Sequence, residues 1–412
     1  MRKPTLWRKN FILLMLASAF GSMGGIAGSY ALDFLVFDKT GSTLATGFMV
    51  SLQFIPHFLL PILIAPLMDR LPRKPFLVGG DVVGSIIYFF AALYLKNNAF
   101  SYPVFLGFSL LINSVNAIDS LSYNCIFPKT IPEGFEDKGY AVSAMLYPVL
   151  NVLMMPVAAY LMDIIGVANI LLFQSGMMML AAITESGIKI AEKIDRSKEK
   201  TGISGWFADF KAGFAYLKGE KGLLNIYAYD AVSNGTYSGI GQIQVAFFRT
   251  APGFSAQLYA FFSVVEFAGR TLGGVFRYVS HMKAEKRRKF VYFVQQFYNF
   301  MDAILLWLPY PAMLVNRGVC GFLGINSGTV RASSVHRYLP EEYRARVNAF
   351  ANAWVCIAGC VGALLIGALG EILDYRLTMT VVAVFSAAAC WFTTGRNKAH
   401  LQKIYMYSEE KE

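Results

Sequence analysis

Apolar runs of bilayer-spanning length recur from one end of this chain to the other, and they constrain its fold more than any other feature. A hydrocarbon core about 30 Å thick takes about 20 apolar residues per helix. By that measure the sequence predicts spans at 11–37, 44–68, 75–95, 101–126, 140–164 and 167–190, then at 222–248, 256–280, 289–309, 311–335, 346–373 and 376–395. Lipid offers no partner for a backbone N–H or C=O, so such runs must be helices. Pro309-Tyr310-Pro311 splits the ninth span from the tenth, because two prolines cannot continue a helix without losing hydrogen bonds. The fold class that follows is an all-α polytopic membrane protein of twelve helices.

Charge gives this count an orientation. Only 15% of residues are charged, against about a quarter in a soluble domain, and the net charge of +11 sits in short breaks between spans. Alternate breaks receive the N-terminal basics, Arg70/Arg73/Lys74, Lys129/Lys138, Lys283 to Lys289, Arg337/Arg344/Arg346 and the C-terminal tail. The opposite breaks receive little beyond Lys39, Lys96, Arg249 and Arg376. The positive-inside rule therefore puts both termini in the cytoplasm of a multi-pass protein of the cell (inner or plasma) membrane. The apolar run after Arg2, Lys3, Arg8 and Lys9 looks like a signal peptide at first. It continues to about Phe37, well past the usual apolar length of about 7–15 residues, and reads as an uncleaved first span. No basic helix or aromatic-interleaved patch suits a nucleic acid; the expected partners are the bilayer and a small molecule, with the protein a monomer.

A polar stretch at 191–220 divides the spans into two sets of six. The domains read as 1–190 (first bundle), 191–220 (linker), 221–395 (second bundle) and 396–412 (cytoplasmic tail). Within the linker, Trp206, Phe207, Phe210, Phe214 and Leu217 share one face of a short helix suited to the membrane interface. Shifting the first half by 208 residues aligns Ala65 with Gly273, Asp69 with Arg277, Pro132-Glu133 with Pro340-Glu341, Ala141 with Ala349 and Asp163 with Glu371. A register sustained over four loops predicts two bundles of the same orientation, a repeat typical of transporters with the site between halves.

The loop after the second span reads Ala65-Pro-Leu-Met-Asp69-Arg70-Leu-Pro-Arg73-Lys74. It resembles the cytoplasmic signature of the major facilitator superfamily, with Ala65 where that family usually has Gly. The resemblance implies a conformational latch made by Asp69 and Arg73, favouring the outward-facing state. The second copy is degraded: Gly273 remains, Arg277 replaces the acid, and Lys286-Arg287-Arg288 supply charge. Leu35-Val-Phe-Asp38-Lys-Thr40-Gly41-Ser42, Phe210-Lys-Ala-Gly213-Phe-Ala-Tyr216-Leu217 and Pro340-Glu-Glu-Tyr-Arg344-Ala-Arg346-Val-Asn348-Ala349 are similar to the macrolide-efflux and enterobactin-exporter branch. Substrate does not transfer with that likeness. Asp38-Lys39-Thr40-Gly41 also copies the phosphorylation sequence of P-type ATPases, but there is no large domain to deliver ATP. It reads as a turn whose Thr40 or Ser42 caps the next helix.

Ionisable groups within spans are costly and are the first functional candidates. Glu266 and Arg270 stand one turn apart on span eight, where pairing would satisfy both. The resemblance implies that this span lines the central cavity, and that Asp33 on span one is a coupling acid by position. Asp230 on span seven, with Asn234 and Tyr237, makes a polar stripe at helical spacing, and Asn113 and Asn116 do so on span four. Proton-coupling candidates are thus Asp33, Glu266 and Asp230; substrate-cavity candidates are Asn113, Asn116, Asn234, Tyr237 and Arg270. Asp302 on the peripheral ninth span calls for a structural partner such as Arg317. The five cysteines lie in or at the ends of spans without His neighbours, and pack as small hydrophobes. With no phosphate loop, nucleophile triad or metal cluster in the sequence and four His in all, an enzyme is not expected. The functional expectation is proton-coupled export of a small amphiphilic, drug-like or siderophore-like molecule by alternating access, with no cofactor beyond the proton gradient. The alternative is an importer or uniporter on the same fold; a non-transporting membrane sensor is weaker.

Overall fold

The computed structural model describes residues 5–68, 71–132, 135–190, 203–280 and 282–407, and among these it is helical throughout apart from the connections. The helices are α1 (Lys9–Thr40), α2 (Thr43–Met68), α3 (Lys74–Asn97), α4 (Tyr102–Thr130), α5 (Glu136–Ser186), α6 (Ile203–Gly219), α7 (Lys221–Thr250), α8 (Ala256–Val279), α9 (Ala284–Ile304), α10 (Tyr310–Tyr338), α11 (Glu341–Ile372), α12 (Tyr375–Cys390) and α13 (Lys398–Met406). Seven helical stretches among the described residues are long and apolar enough to cross a bilayer. These lie on α1 to α5, α11 and α12; α7 to α10 carry more polar and charged residues. The 51-residue α5 is two helices end to end. Gly166, at φ 75°, breaks it between residues 164 and 167, where the sequence predicts the turn. The prolines at 309–311 act as expected too: Leu305–Trp307 tightens to a 3₁₀ turn, Pro309 is extended, and α10 starts afresh.

The chain forms two compact units, residues 1–41 with 55–203, and residues 42–54 with 204–412. In the first, α1 packs on the second part of α5, and α3 packs on α4 and α5. Small residues set these approaches, as expected where lipid removes the hydrophobic drive between helices. A methyl group added at Gly24 would press on Met177 Cβ at 3.0 Å, and one at Gly28 would strike Gln174. Ser85 Oγ donates to the Ser175 carbonyl and Ser175 Oγ to that of Ser85, both at 2.8 Å, tying α3 to α5 across the bundle.

In the second unit α7 packs on α11, and α8 on α10. Gly235 and Gly362 let α7 and α11 touch backbone to backbone, as Gly269 and Gly318 do for α8 and α10. Residues 42–54 join this unit because they are stitched to α11. Thr43 donates to the Gly367 carbonyl at 2.8 Å, and Ser51 to that of Cys360 at 3.0 Å. Ser42 Oγ caps α2 by accepting from Ala45 N at 3.0 Å, and itself donates to Glu371 at 2.7 Å. The same Glu371 oxygen accepts from Leu44 N at 3.0 Å, so an anion from α11 sits on the positive end of α2.

One end of this unit is basic, and there α6 and α13 fold onto the helices. Leu217 of α6 and Leu401, Ile404 and Tyr405 of α13 are buried with Leu223, Ile226, Val291, Val330, Leu339, Val347 and Phe350. Tyr216 stacks on Tyr343 with ring centres 4.3 Å apart, and Phe214 lies 5.3 Å from Phe350. The linker helix thus packs on protein through Phe214 and Leu217. The stretch read from sequence as a tail contains a docked helix, α13.

Candidate functional site

The densest group of helix-borne charges among the described residues lies on α8, α9 and α10, and backbone contact between α8 and α10 creates it. With glycine at 321, α10 lies directly against the Glu266 carbonyl. Glu266 and Arg270, one turn apart, form an ion pair with Nη2 at 2.6 Å from Oε1. Tyr298 of α9 reaches the same oxygen with its hydroxyl, at 3.4 Å. Below it Arg317 of α10 pairs with Asp302 of α9. The Arg317 guanidinium also lies 5.4 Å from the Tyr298 ring centre and 5.9 Å from that of Phe262. Tyr298 therefore touches both pairs, joining two acids and two arginines in one network.

The two pairs differ in access. Arg317 is nearly closed off, with 4% of its side chain exposed. Arg270 keeps 37% of its side chain exposed and packs against the Phe267 ring at 5.4 Å. Tyr237 of α7, a sequence candidate, is also exposed. An arginine tied to a carboxylate by one edge retains further N–H donors for a solute's oxygen. This accessible pair leaves a cation open to a polar or anionic group, whereas the closed pair suits holding helices together.

Asp230 lies elsewhere in the same unit, paired with Arg331 of α10 at 2.6 Å. Asn234 is exposed and donates to the Asp230 carbonyl at 2.8 Å, back along its own helix. In the first unit Asp33 is exposed on α1, while Asn113 and Asn116 are half-buried on α4. Asn113 donates to the Ser109 carbonyl at 2.8 Å. Arg73 is half-buried at the start of α3. Asp69, its expected latch partner, lies outside the described residues.

Four residues here escaped the sequence reading. Tyr298 and Arg331 lie far along the chain from the groups they serve, with no helical spacing to reveal them. Asp81 and Glu185 are buried acids of the first unit. Each stands near the end of an apolar span, where an acid passes for a loop residue. Among the described residues no group of His, Cys, Asp and Glu has the geometry to hold a metal ion.

The chain has a measurable likeness to known proteins. It is 24% identical over 229 residues to Macrolide efflux protein A of Streptococcus pyogenes, covering 54% of this chain and 55% of that one. It thus spans about half the length of the curated relatives it matches. Its fold is like that of the nucleoside transporter NupG, with a TM-score of 0.71 at 13% identity over 94% of this chain and 99% of the other. It is also like a bacterial homologue of the human lysosomal transporter Spinster in an inward-facing, unoccupied conformation, with a TM-score of 0.68 at 15% identity over 98% and 100%. The model of the Major Facilitator Superfamily matches residues 12–301. That match covers well over half of the sequence and agrees with the helical architecture; the chain belongs to the Major Facilitator Superfamily.

Proposed function

We propose that this protein is a twelve-span secondary transporter with both termini in the cytoplasm, exporting a small amphiphilic molecule in exchange for protons. The observation that carries this reading is the Glu266–Arg270 pair, an ion pair within α8 with its arginine left accessible. A fixed ion pair kept only for structure has no need of that access. Proton binding to Glu266 releases Arg270 to a solute, and proton loss restores the pair, so the two ligands compete for one guanidinium. Tyr237 adds an exposed amphipathic ring to the same unit. The likeness to Macrolide efflux protein A makes a macrolide the first solute to test. Asp33 is the second candidate for the coupling proton, Asn113 and Asn116 are candidate solute contacts, and Asp69 with Arg73 is the candidate latch.

The test uses full-length protein in proteoliposomes under an imposed pH gradient. Macrolide movement should follow the gradient, stop with an uncoupler, and become insensitive to it in Glu266→Gln. Movement that ignores the gradient in the unsubstituted protein would establish a uniporter instead. A normal gradient response in Glu266→Gln would transfer the proton to another acid.

A further inference from the structure

Three arginines at the basic end of the second unit meet one another instead of an acid: Arg277 near the end of α8, Arg287 in the first turn of α9 and Arg337 near the end of α10. All three are half-buried. In the 208-residue register Arg277 stands where the first half has Asp69, so one charge is reversed. Burial, together with the nearness of Arg337 and Arg277, holds the Arg287 guanidinium below its ordinary pKa. Among the described residues no carboxylate pairs with any of the three. Arg287 Nε donates to the Met282 carbonyl in a long bond of 3.4 Å. Arg337 Nε is buried with no hydrogen-bond partner among the described residues. So is the hydroxyl of Ser334, three residues earlier on the same face of α10.

Other charged groups of this end are engaged elsewhere or turned to solvent. Arg288 donates to Gln402 at 2.8 Å, and Glu220 accepts from the Tyr338 hydroxyl at 2.8 Å. Glu285, Lys283, Lys286 and Lys289 are exposed. Guanidiniums are rigid forks of donors that stay charged, so three of them in mutual range call for an oxyanion. A phosphate group matches that fork and can bridge more than one arginine. The adjoining surface points to where the phosphate comes from. Leu272, Val275 and Phe276, just before Arg277 on α8, are exposed, as is Ile325 of α10. The Phe276 and Phe322 rings lie 5.4 Å apart and join the two helices in one apolar strip. A strip that runs up to a cluster of arginines fits acyl chains with a charged headgroup at their end, and a free phosphate would leave it unused.

We propose that Arg277, Arg287 and Arg337 form a binding site for the phosphate of an anionic phospholipid whose chains lie along the exposed apolar strip of α8 and α10. The site rests on the membrane reading of the chain and not on proton coupling. Purified full-length protein in detergent, titrated with phosphatidylglycerol, should gain thermal stability and retain the lipid in native mass spectra. Phosphatidylcholine, whose choline cancels the phosphate charge, should do neither. Arg287→Gln and Arg337→Gln should each weaken phosphatidylglycerol binding about tenfold or more. Lys398→Gln, at an exposed lysine of the same end, should weaken it about twofold or less. Equal losses in all three variants overturn the site, because they mark attraction to the basic surface at large. Without lipid, each arginine variant should melt at or above the midpoint of the unsubstituted protein, since it removes a repelling charge. A clear fall would show the guanidinium held by the protein itself and overturns the site as well. Inorganic phosphate that protects as well as the lipid at equal concentration would assign the arginines to a soluble oxyanion and overturns the lipid as ligand.

Discussion

In the second unit Asp230, Glu266 and Asp302 each meet an arginine, whereas in the first Asp81 and Glu185 lie buried near the ends of apolar helices. The helices differ to match. Those of the first unit are apolar enough to be read as spans by composition, while α7 to α10 carry their ion pairs at the expense of hydropathy. Asp230 and Asp302 pair with arginines of a neighbouring helix and pin two helices together, whereas Glu266 pairs within α8 and leaves its arginine accessible.

Replacing one partner of each arrangement should separate them, with the largest effect at the most enclosed pair. Arg317→Met strands Asp302 and should cost about 3–5 kcal/mol of stability, read as a drop in the thermal midpoint of detergent-solubilised protein. Adding Asp302→Leu should recover most of that loss; no recovery would mean that Arg317 acts chiefly through the Tyr298 and Phe262 rings. Arg331→Met removes a less enclosed partner and should cost about 1.5–3 kcal/mol in the same assay. Gly269→Val tests the seam beneath the pairs by pushing a side chain into the Gly318 backbone, and should cost about 1–3 kcal/mol through overpacking. Asp119→Asn should change stability by about 1 kcal/mol or less, because the amide keeps the shape of a side chain whose Oδ1 makes no hydrogen bond among the described residues. A loss as large as that of Arg317→Met would place the first unit's acids in the same class as the second unit's.

The helical class, the turn at Gly166 and the Pro309 junction were legible because each depends on local chemistry: apolar length, a left-handed backbone angle, a missing N–H. The Glu266–Arg270 pair was legible for the same reason, since one helical turn separates its members. Asp230–Arg331 was not, because the partners sit on helices brought together only by packing. Helix α13 was missed as well. It is short, and Lys398, His400 and Lys403 hide three buried residues in what reads as a polar tail.

The basic end of the second unit also sets a schedule for synthesis. Leu217 finishes buried against Val347 and Phe350 of α11 and shares its cluster with Leu401, Ile404 and Tyr405 of α13. The ribosome makes α6 before these partners, and α13 follows it by nearly half a chain. At roughly 5–20 residues per second, the apolar face of α6 waits on the order of ten to forty seconds for its final neighbours. Throughout that interval it must rest on the membrane surface or on a chaperone. Helix α13 therefore closes this cluster, and a chain cut before residue 398 leaves the apolar face of α6 without part of its cover.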